Sequence, residues 1–154
     1  TNRALNEVRY LIDSSRVELD EGLESAVKKM LDAFEANHGI KTDFLSTSNY
    51  ISSIKSEWQI EILHIMQEIL SNISRHANAS EVKVRITDVG NEIRFSVSDN
   101  GIGFSEEASD RNNSGERKHW GLNNIRERTA NMNGTVQFIN AGGTTVAIRL
   151  KIES

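Results

Sequence analysis

Ile93-Arg94-Phe95-Ser96-Val97-Ser98-Asp99-Asn100-Gly101-Ile102-Gly103-Phe104 is the stretch from which the fold can be read. Its first half alternates: Ile93, Phe95 and Val97 fall on one side, so the period of two predicts a strand with one apolar face. Asp99 continues that alternation onto the buried side. A carboxylate placed there costs several kcal/mol unless something hydrogen-bonds to it. Asp-Asn-Gly is also an ordinary turn signal in which the Asp caps its own turn, and that reading stands beside one in which a ligand supplies the partner. Gly101 and Gly103 add backbone freedom, including positive φ, and remove Cβ atoms that would keep a flat ring away from the chain. Together they predict an adenine pocket.

Upstream, Val82-Lys83-Val84-Arg85-Ile86 repeats the alternation, and Gly90-Asn91 between the two runs predicts a hairpin. Lys83, Arg85, Arg94, Ser96 and Ser98 share the other face. That pattern describes a sheet covered by helices on one side and open to water on the other. From Lys55 to Ala77 the apolar residues Ile62, Met66, Ile69, Leu70 and Ile73 recur at helical spacing. Glu68, Asn72 and His76 follow at i, i+4, i+8 along the border of that stripe, so three polar groups line a seam. Further upstream, Asp20 is the expected N-cap of a helix carrying Leu23, Ala26, Val27, Met30, Leu31 and Phe34, with Gly39 as its stop. A short strand over Ile40–Leu45 and a loop over Ser46–Asn49 follow. Residues 1–12 carry Leu5, Val8, Leu11 and Ile12 and read as the tail of a longer helix.

Downstream, Ser105–His119 is polar and reads as a lid. Gly121 opens a helix with Leu122, Ile125, Thr129 and Met132 inward, which ends near Asn133-Gly134. Strands over Thr135–Ile139 and Thr144–Ile152 complete the chain, and Thr144, like Asp99, is set on the buried side at a strand end. The 154 residues, 37% of them hydrophobic, suffice for one compact domain. A net charge of −4 with mixed signs argues against nucleic acid or an anionic membrane as the main partner, and no apolar run is long enough to span a bilayer. The absence of cysteine removes disulfides and thiolate metal sites. No Gly-Lys-Ser/Thr phosphate loop, serine elbow or histidine metal spacing is present.

These pieces suit a nucleoside triphosphate. A buried carboxylate accepts from the adenine exocyclic amine, a contact that guanine lacks. Amides at a helix start such as Gly121 and Leu122 can hold phosphate oxygens. The amide oxygen of Asn72 is a hard ligand for Mg²⁺, and Arg75 adds a permanent charge.

Glu68-x-x-x-Asn72-x-x-Arg75-His76-Ala77 resembles the N box of sensor histidine kinases, Asp99-x-Gly101-x-Gly103-Phe104 their G1 box, and His119-Trp120-Gly121-Leu122-x-x-Ile125-Arg126-Glu127-Arg128 their G2 region. Gly143-Thr144-Thr145-Val146 resembles their threonine-bearing last motif. Order and spacing are similar to the ATP-binding catalytic domain of the superfamily that includes gyrase, the heat-shock chaperone and mismatch-repair ATPases, and Arg-His-Ala with Arg-Glu-Arg resembles the nitrate-sensor subclass. The resemblance implies the Bergerat fold, an α/β two-layer sandwich whose mixed, mostly antiparallel sheet carries helices on one face. It implies that residues 1–19 are the end of a dimerisation and phosphotransfer helix with its linker, and that 20–154 are the catalytic domain.

Position by position, the resemblance implies that Asn72 ligates Mg²⁺, Glu68 orients or deprotonates the attacking group, and Asp99 binds adenine with Thr144 assisting through water. Gly101, Gly103, Phe104, Gly121 and Leu122 would shape the pocket, with Arg75, His76, Lys118 and His119 near the nucleotide. It implies ATP and Mg²⁺ as cofactors, a histidine-bearing dimerisation domain and a response regulator as partners, and a cytoplasmic location for this part of a parent protein that is free to carry a membrane anchor. The acceptor histidine of the family precedes an acidic residue, whereas His38, His64, His76 and His119 precede Gly, Ile, Ala and Trp. The acceptor is therefore expected upstream, and this piece is expected to bind ATP without labelling itself. A phenylalanine-rich box is absent between the G1 and G2 motifs, and Lys151 stands where many members have proline. Two other readings use the same features: an anti-sigma-type serine kinase, and a nucleotide-binding regulatory module without transfer activity.

Overall fold

A computed structural model describes residues 22–103, 122–140 and 142–152. The chain runs α1 (Leu23–His38), β1 (Lys41–Ser46), a 3₁₀ turn (Ile51–Ser53), α2 (Ser56–Asn72), β2 (Glu81–Val89), β3 (Glu92–Asp99), α3 (Leu122–Asn131), β4 (Thr135–Asn140) and β5 (Thr144–Lys151). The strands form one sheet in the order β1-β2-β3-β5-β4. β1 pairs parallel to β2, and the other three pairings are antiparallel. The expected two-layer sandwich with a mixed, mostly antiparallel sheet is what forms.

The alternation in the sequence fixes which face of the sheet is covered. Along β3 every second residue from Ile93 to Asp99 is buried, and the register sets Phe95 beside Ile86 on β2 and Ile148 on β5. This apolar floor receives α1 through Leu23, Val27, Met30 and Leu31, and α2 through Ile62, Leu63, Ile65 and Ile69. Each fully buried side chain of this kind contributes about 1.5–3 kcal/mol relative to exposure.

Gly39 ends α1 in the left-handed conformation (φ 68°), and its N–H donates to Glu35 O. Glu35 then accepts from both the N–H (2.8 Å) and the hydroxyl (3.0 Å) of Thr42, which fastens the start of β1 to the end of α1. The Thr42 backbone and hydroxyl bonds hold the Glu35 carboxyl below its usual range. At the other end of α1 the cap position belongs to Gly22, with no side-chain cap bond, in place of the expected Asp20, which lies outside the described residues.

The long helix expected over Lys55–Ala77 is regular only as far as Asn72. From Ile73 to Ala77 it widens into a π-helical turn, and Asn78 stops it at φ 52°. The wider turn breaks the 100° phase on which the Glu68, Asn72, His76 row was drawn: Asn72 is buried, while Arg75 and His76 are exposed. The 3₁₀ turn was not anticipated, because Ser and Asn residues surround its one buried residue, Ile51. No helix among the described residues is long and apolar enough to cross a membrane.

Candidate functional site

Among the described residues only four polar side chains are buried: Asn72, Asp99, Thr129 and Thr144. Thr129 has a local explanation, since its hydroxyl donates to Ile125 O at 2.7 Å within α3. The other three come from α2, β3 and β5 and converge on one narrow cleft. Larger hollows lie at Tyr50–Trp58 and at Glu57–Arg128, but neither gathers a buried polar group. Buried polar atoms cost free energy when unsatisfied, so their convergence is a better marker of a site than volume.

Asp99 sits at the last rung of β3, opposite Val82, and is 8% exposed. One carboxylate oxygen accepts the Gly101 N–H at 2.8 Å, so the turn-capping reading of Asp-Asn-Gly is realised. Among the described residues that is the only hydrogen bond of the Asp99 side chain, and the rest of the carboxylate borders the cleft. The capping bond thus leaves the remainder of the carboxylate facing the cleft, where a second partner could reach it. Asn100 anchors the turn from outside: its side-chain oxygen accepts the N–H groups of Ser80 (2.9 Å) and Glu81 (3.0 Å), and its amide donates to the Ser80 hydroxyl.

The glycines of the turn serve packing as much as dihedral freedom. Gly101 does not have positive φ; a Cβ there would overlap the carbonyl oxygen of Ala77, the same oxygen that accepts the Ile102 N–H at 2.8 Å. Its lack of a side chain lets the turn lie on the end of the π-helical segment, a reason different from the ring access expected from sequence. Gly103 does have positive φ (77°), with Asn140 Oδ1 2.8 Å from where a Cβ would be. Gly143, at φ 126°, is pressed against the backbone of Asp99, where a Cβ would overlap its carbonyl oxygen. Thus β3 and the start of β5 meet backbone to backbone beside the cleft, and this places Thr144 next to Asp99.

Thr144 is buried and its hydroxyl lies 3.4 Å from Asn140 Oδ1, a long contact that holds it weakly. Asn72 enters from α2, 5% exposed. The residue is held by other contacts, but its Oδ1 is a buried oxygen that accepts no hydrogen bond from the described residues. A buried, unmet amide oxygen fits a Mg²⁺ ligand, because Mg²⁺ takes few protein oxygens and keeps several waters. No cluster of three or more His, Asp or Glu that could hold a metal is present among the described residues.

The walls are apolar: Ile69 from α2, Ile73 from the π-helical turn that follows it, Val97 and Val146 from the sheet, and Leu122 and Ile125 from α3, with Phe138 of β4. Sequence reading placed most of these in the core and only Leu122 in the site, since periodicity marks a buried face without saying what it is buried against. Gly143 was quoted in a motif but given no role, and its positive φ beside a paired strand was the missed signal. The Arg126 guanidinium lies 4.9 Å from the Phe138 ring centre at the edge of this wall. α3 is itself clamped to α2: Arg128 bonds Glu61 at 2.7 Å and Asn131 bonds it at 3.0 Å. Partial burial raises the Glu61 carboxyl, but the Asn131 and Arg128 bonds and the Arg128 charge outweigh it, leaving the group below its ordinary value.

Of the other expected site residues, Glu68 is half-buried one helical turn before Asn72, while Arg75 and His76 are exposed on the π-helical turn; none of the three lines the cleft. Gly101 packs on the Ala77 carbonyl and Gly103 lies against Asn140 and Gly143, and neither lines the cleft. Phe104, Lys118, His119 and Gly121, with the expected lid and residues 1–12, lie outside the described residues.

Residues 59–154 match the family described as histidine kinase-, DNA gyrase B-, and HSP90-like ATPase. Among curated relatives, the nitrate/nitrite sensor protein NarQ of Escherichia coli (strain K12) is 32% identical over 97% of this chain and 26% of its own length. NarX of the same strain is 30% identical over 96% of this chain and 24% of its own. The sensor histidine kinase LiaS of Bacillus subtilis (strain 168) is 30% identical over 97% of this chain and 39% of its own. The chain thus spans about a quarter to two fifths of these relatives. The blue-light activated histidine kinase of Erythrobacter litoralis EL346 superposes with a TM-score of 0.75 at 18% identity, covering 97% of this chain and 50% of that one. At that identity it shows the shared fold. With the family match covering more than half of the chain, and with sensor histidine kinases as its relatives, the protein belongs to the histidine kinase-, DNA gyrase B- and HSP90-like ATPase family.

Proposed function

We propose that this chain is the catalytic domain of a two-component sensor histidine kinase. It transfers the γ-phosphoryl of ATP to a histidine on a dimerisation domain of the same parent protein, for relay to a response regulator. The observation that carries the reading is the convergence of Asn72, Asp99 and Thr144, three of the four buried polar side chains described, on one apolar cleft. Asp99 accepts from the adenine amine, and because its carboxylate is already oriented by the Gly101 N–H the contact costs little reorganisation. Thr144 sits beside it to share a water. The apolar walls exclude solvent from the ring, which strengthens that hydrogen bond. Leu122 begins α3 at the cleft, and the free amides of a helix start there would hold phosphate oxygens.

Asn72 is the residue that would hold Mg²⁺, which when bound neutralises charge on the phosphates. Glu68, one turn away on the same helix, orients or deprotonates the acceptor, and Arg75 adds a permanent charge near the phosphates, the family resemblance assigning His76, Lys118 and His119 to the same end of the nucleotide. Positioning and charge neutralisation supply most of the catalysis in such transfers. The parent protein works in the cytoplasm at this domain.

The test is to incubate the chain with γ-labelled ATP, Mg²⁺ and a separately made histidine hairpin from a nitrate-sensor relative. Label on the hairpin histidine, and none on this chain alone, is expected. Label on a serine would transfer the chain to the anti-sigma class, and ATP binding without transfer to any protein would make it a regulatory module.

A further inference from the structure

The face of the sheet that the helices leave open carries an arrangement the nucleotide cleft does not use. On it, Arg94 of β3 stands directly opposite Arg149 of β5 in the register. The row continues to Thr87 on β2 and to Thr135 on β4. Like charges opposite each other across strands are destabilising, so this pair is kept against the interest of the isolated fold. Little compensates it. Arg94 has one ion pair among the described residues, to Glu92 at 3.6 Å, and its Nε is buried without a partner there. Arg149 is exposed and makes no ion pair among the described residues. Lys83 and Arg85 lie on the same face, Arg85 bound to Asp43 at 2.9 Å, and basic side chains outnumber acidic ones there in a chain of net charge −4.

We propose that this open face, centred on Arg94 and Arg149, is a docking surface for an acidic face of a second protein. The row of donors from Thr87 to Thr135 crosses three strand spacings, roughly 14 Å, which is too wide for one small anion and suits several carboxylates in line. Guanidinium forks match carboxylates two bonds at a time. Between the cations the surface is low, made of Ser96, Ser98 and Ala147, so a folded partner can approach closely. The interspersed Asp43 and Glu92 oppose a continuous phosphate backbone, which needs an unbroken run of cations. The proposal is independent of the nucleotide reading, because cleft and row lie on opposite faces of the same strands.

The test uses a fluorescent decaglutamate peptide with the whole chain at fixed ionic strength. Arg94→Gln with Arg149→Gln is compared with Lys28→Gln with Lys29→Gln, which removes the same charge from exposed positions on α1. The expected result is a loss of about tenfold or more for the face variant and less than about twofold for the control. Equal losses, no measurable peptide binding, or a duplex DNA or inorganic phosphate that competes as well as the peptide would each overturn the proposal. Thermal unfolding gives a second readout: without peptide at low salt, Arg149→Gln is expected to melt higher than the parent chain, and a lower melting temperature would mean that Arg149 is held for structure instead.

Discussion

Strands β2 and β3 have a glycine-bearing turn at each end, and the two turns obey different constraints. At the hairpin end, Gly90 has φ 62° and nothing within 4 Å of where its Cβ would lie. At the cleft end, Gly101 lies on the Ala77 carbonyl and Gly143 on the Asp99 carbonyl, both so close that a Cβ would overlap. The hairpin glycine answers to its own dihedral angle; the cleft glycines answer to another segment of chain. The difference teaches that the site is built by backbones brought into contact, and that its side chains are placed as a consequence.

Gly143→Ala should have the largest effect. Strain at φ 126° and overlap with Asp99 together cost about 2–5 kcal/mol, and urea unfolding should show the loss. Gly101→Ala involves overlap without positive φ and should cost about 1–3 kcal/mol. Both should also weaken ATP binding, because each moves Asp99. Asp99→Asn separates position from chemistry. The turn bond from the Gly101 N–H can persist to an amide oxygen, so the fold should remain, while losing a charge-assisted bond to adenine, about 1.5–3 kcal/mol, weakens calorimetric ATP affinity tenfold or more. Unchanged affinity would take Asp99 out of the pocket and leave it a turn cap.

That contrast also explains what could be read from sequence. The β3 alternation, the Gly39 stop and the Gly90-Asn91 hairpin rest on local periodicity or local dihedral angles, and each appears where expected. Asp99 and Thr144 were legible as candidates because each is a polar group set by strand alternation on an apolar face, and Asn72 because it lies on the border of a helical apolar stripe; all three are buried at the cleft. The role of Gly101 was not, because it depends on where Ala77 ends up, sequence-distant and set by the π-helical turn. His76 was drawn into the seam by assuming an unbroken α-helix. The cleft walls were indistinguishable from core for the same reason: exposure to a cavity leaves no mark on a hydrophobic pattern.

A smaller effect is expected at the Glu61 clamp, which holds α3 against the cleft end. Because the folded Glu61 carboxyl lies below its ordinary value of 4.5, the clamp contributes stability above that pH and loses it as pH falls through the lower, folded value. With Arg128 38% exposed, the contribution is about 0.5 kcal/mol. Glu61→Gln should therefore be slightly less stable than the parent chain at pH 7, with the gap closing below pH 4.5. A gap that persists in acid would mean that Glu61 acts by packing.

Gly90→Asn should have the smallest effect and is the sharpest check on the comparison. A left-handed residue with open space around it needs only a side chain that tolerates positive φ, and asparagine does so through local hydrogen bonding. This chain already uses asparagine in that role, at Asn78 (φ 52°) where the π-helical turn stops and at Asn133 (φ 55°) after α3. The change should fall within about 0.5 kcal/mol of the parent and leave ATP affinity untouched. Gly90→Val, whose branched side chain resists positive φ, should cost more than Asn while sparing affinity in the same way. If Gly90→Asn instead cost as much as Gly143→Ala, the hairpin end would have to be held by a tertiary contact as well, and the distinction between a turn set by its own dihedral angle and one set by its neighbour would fail.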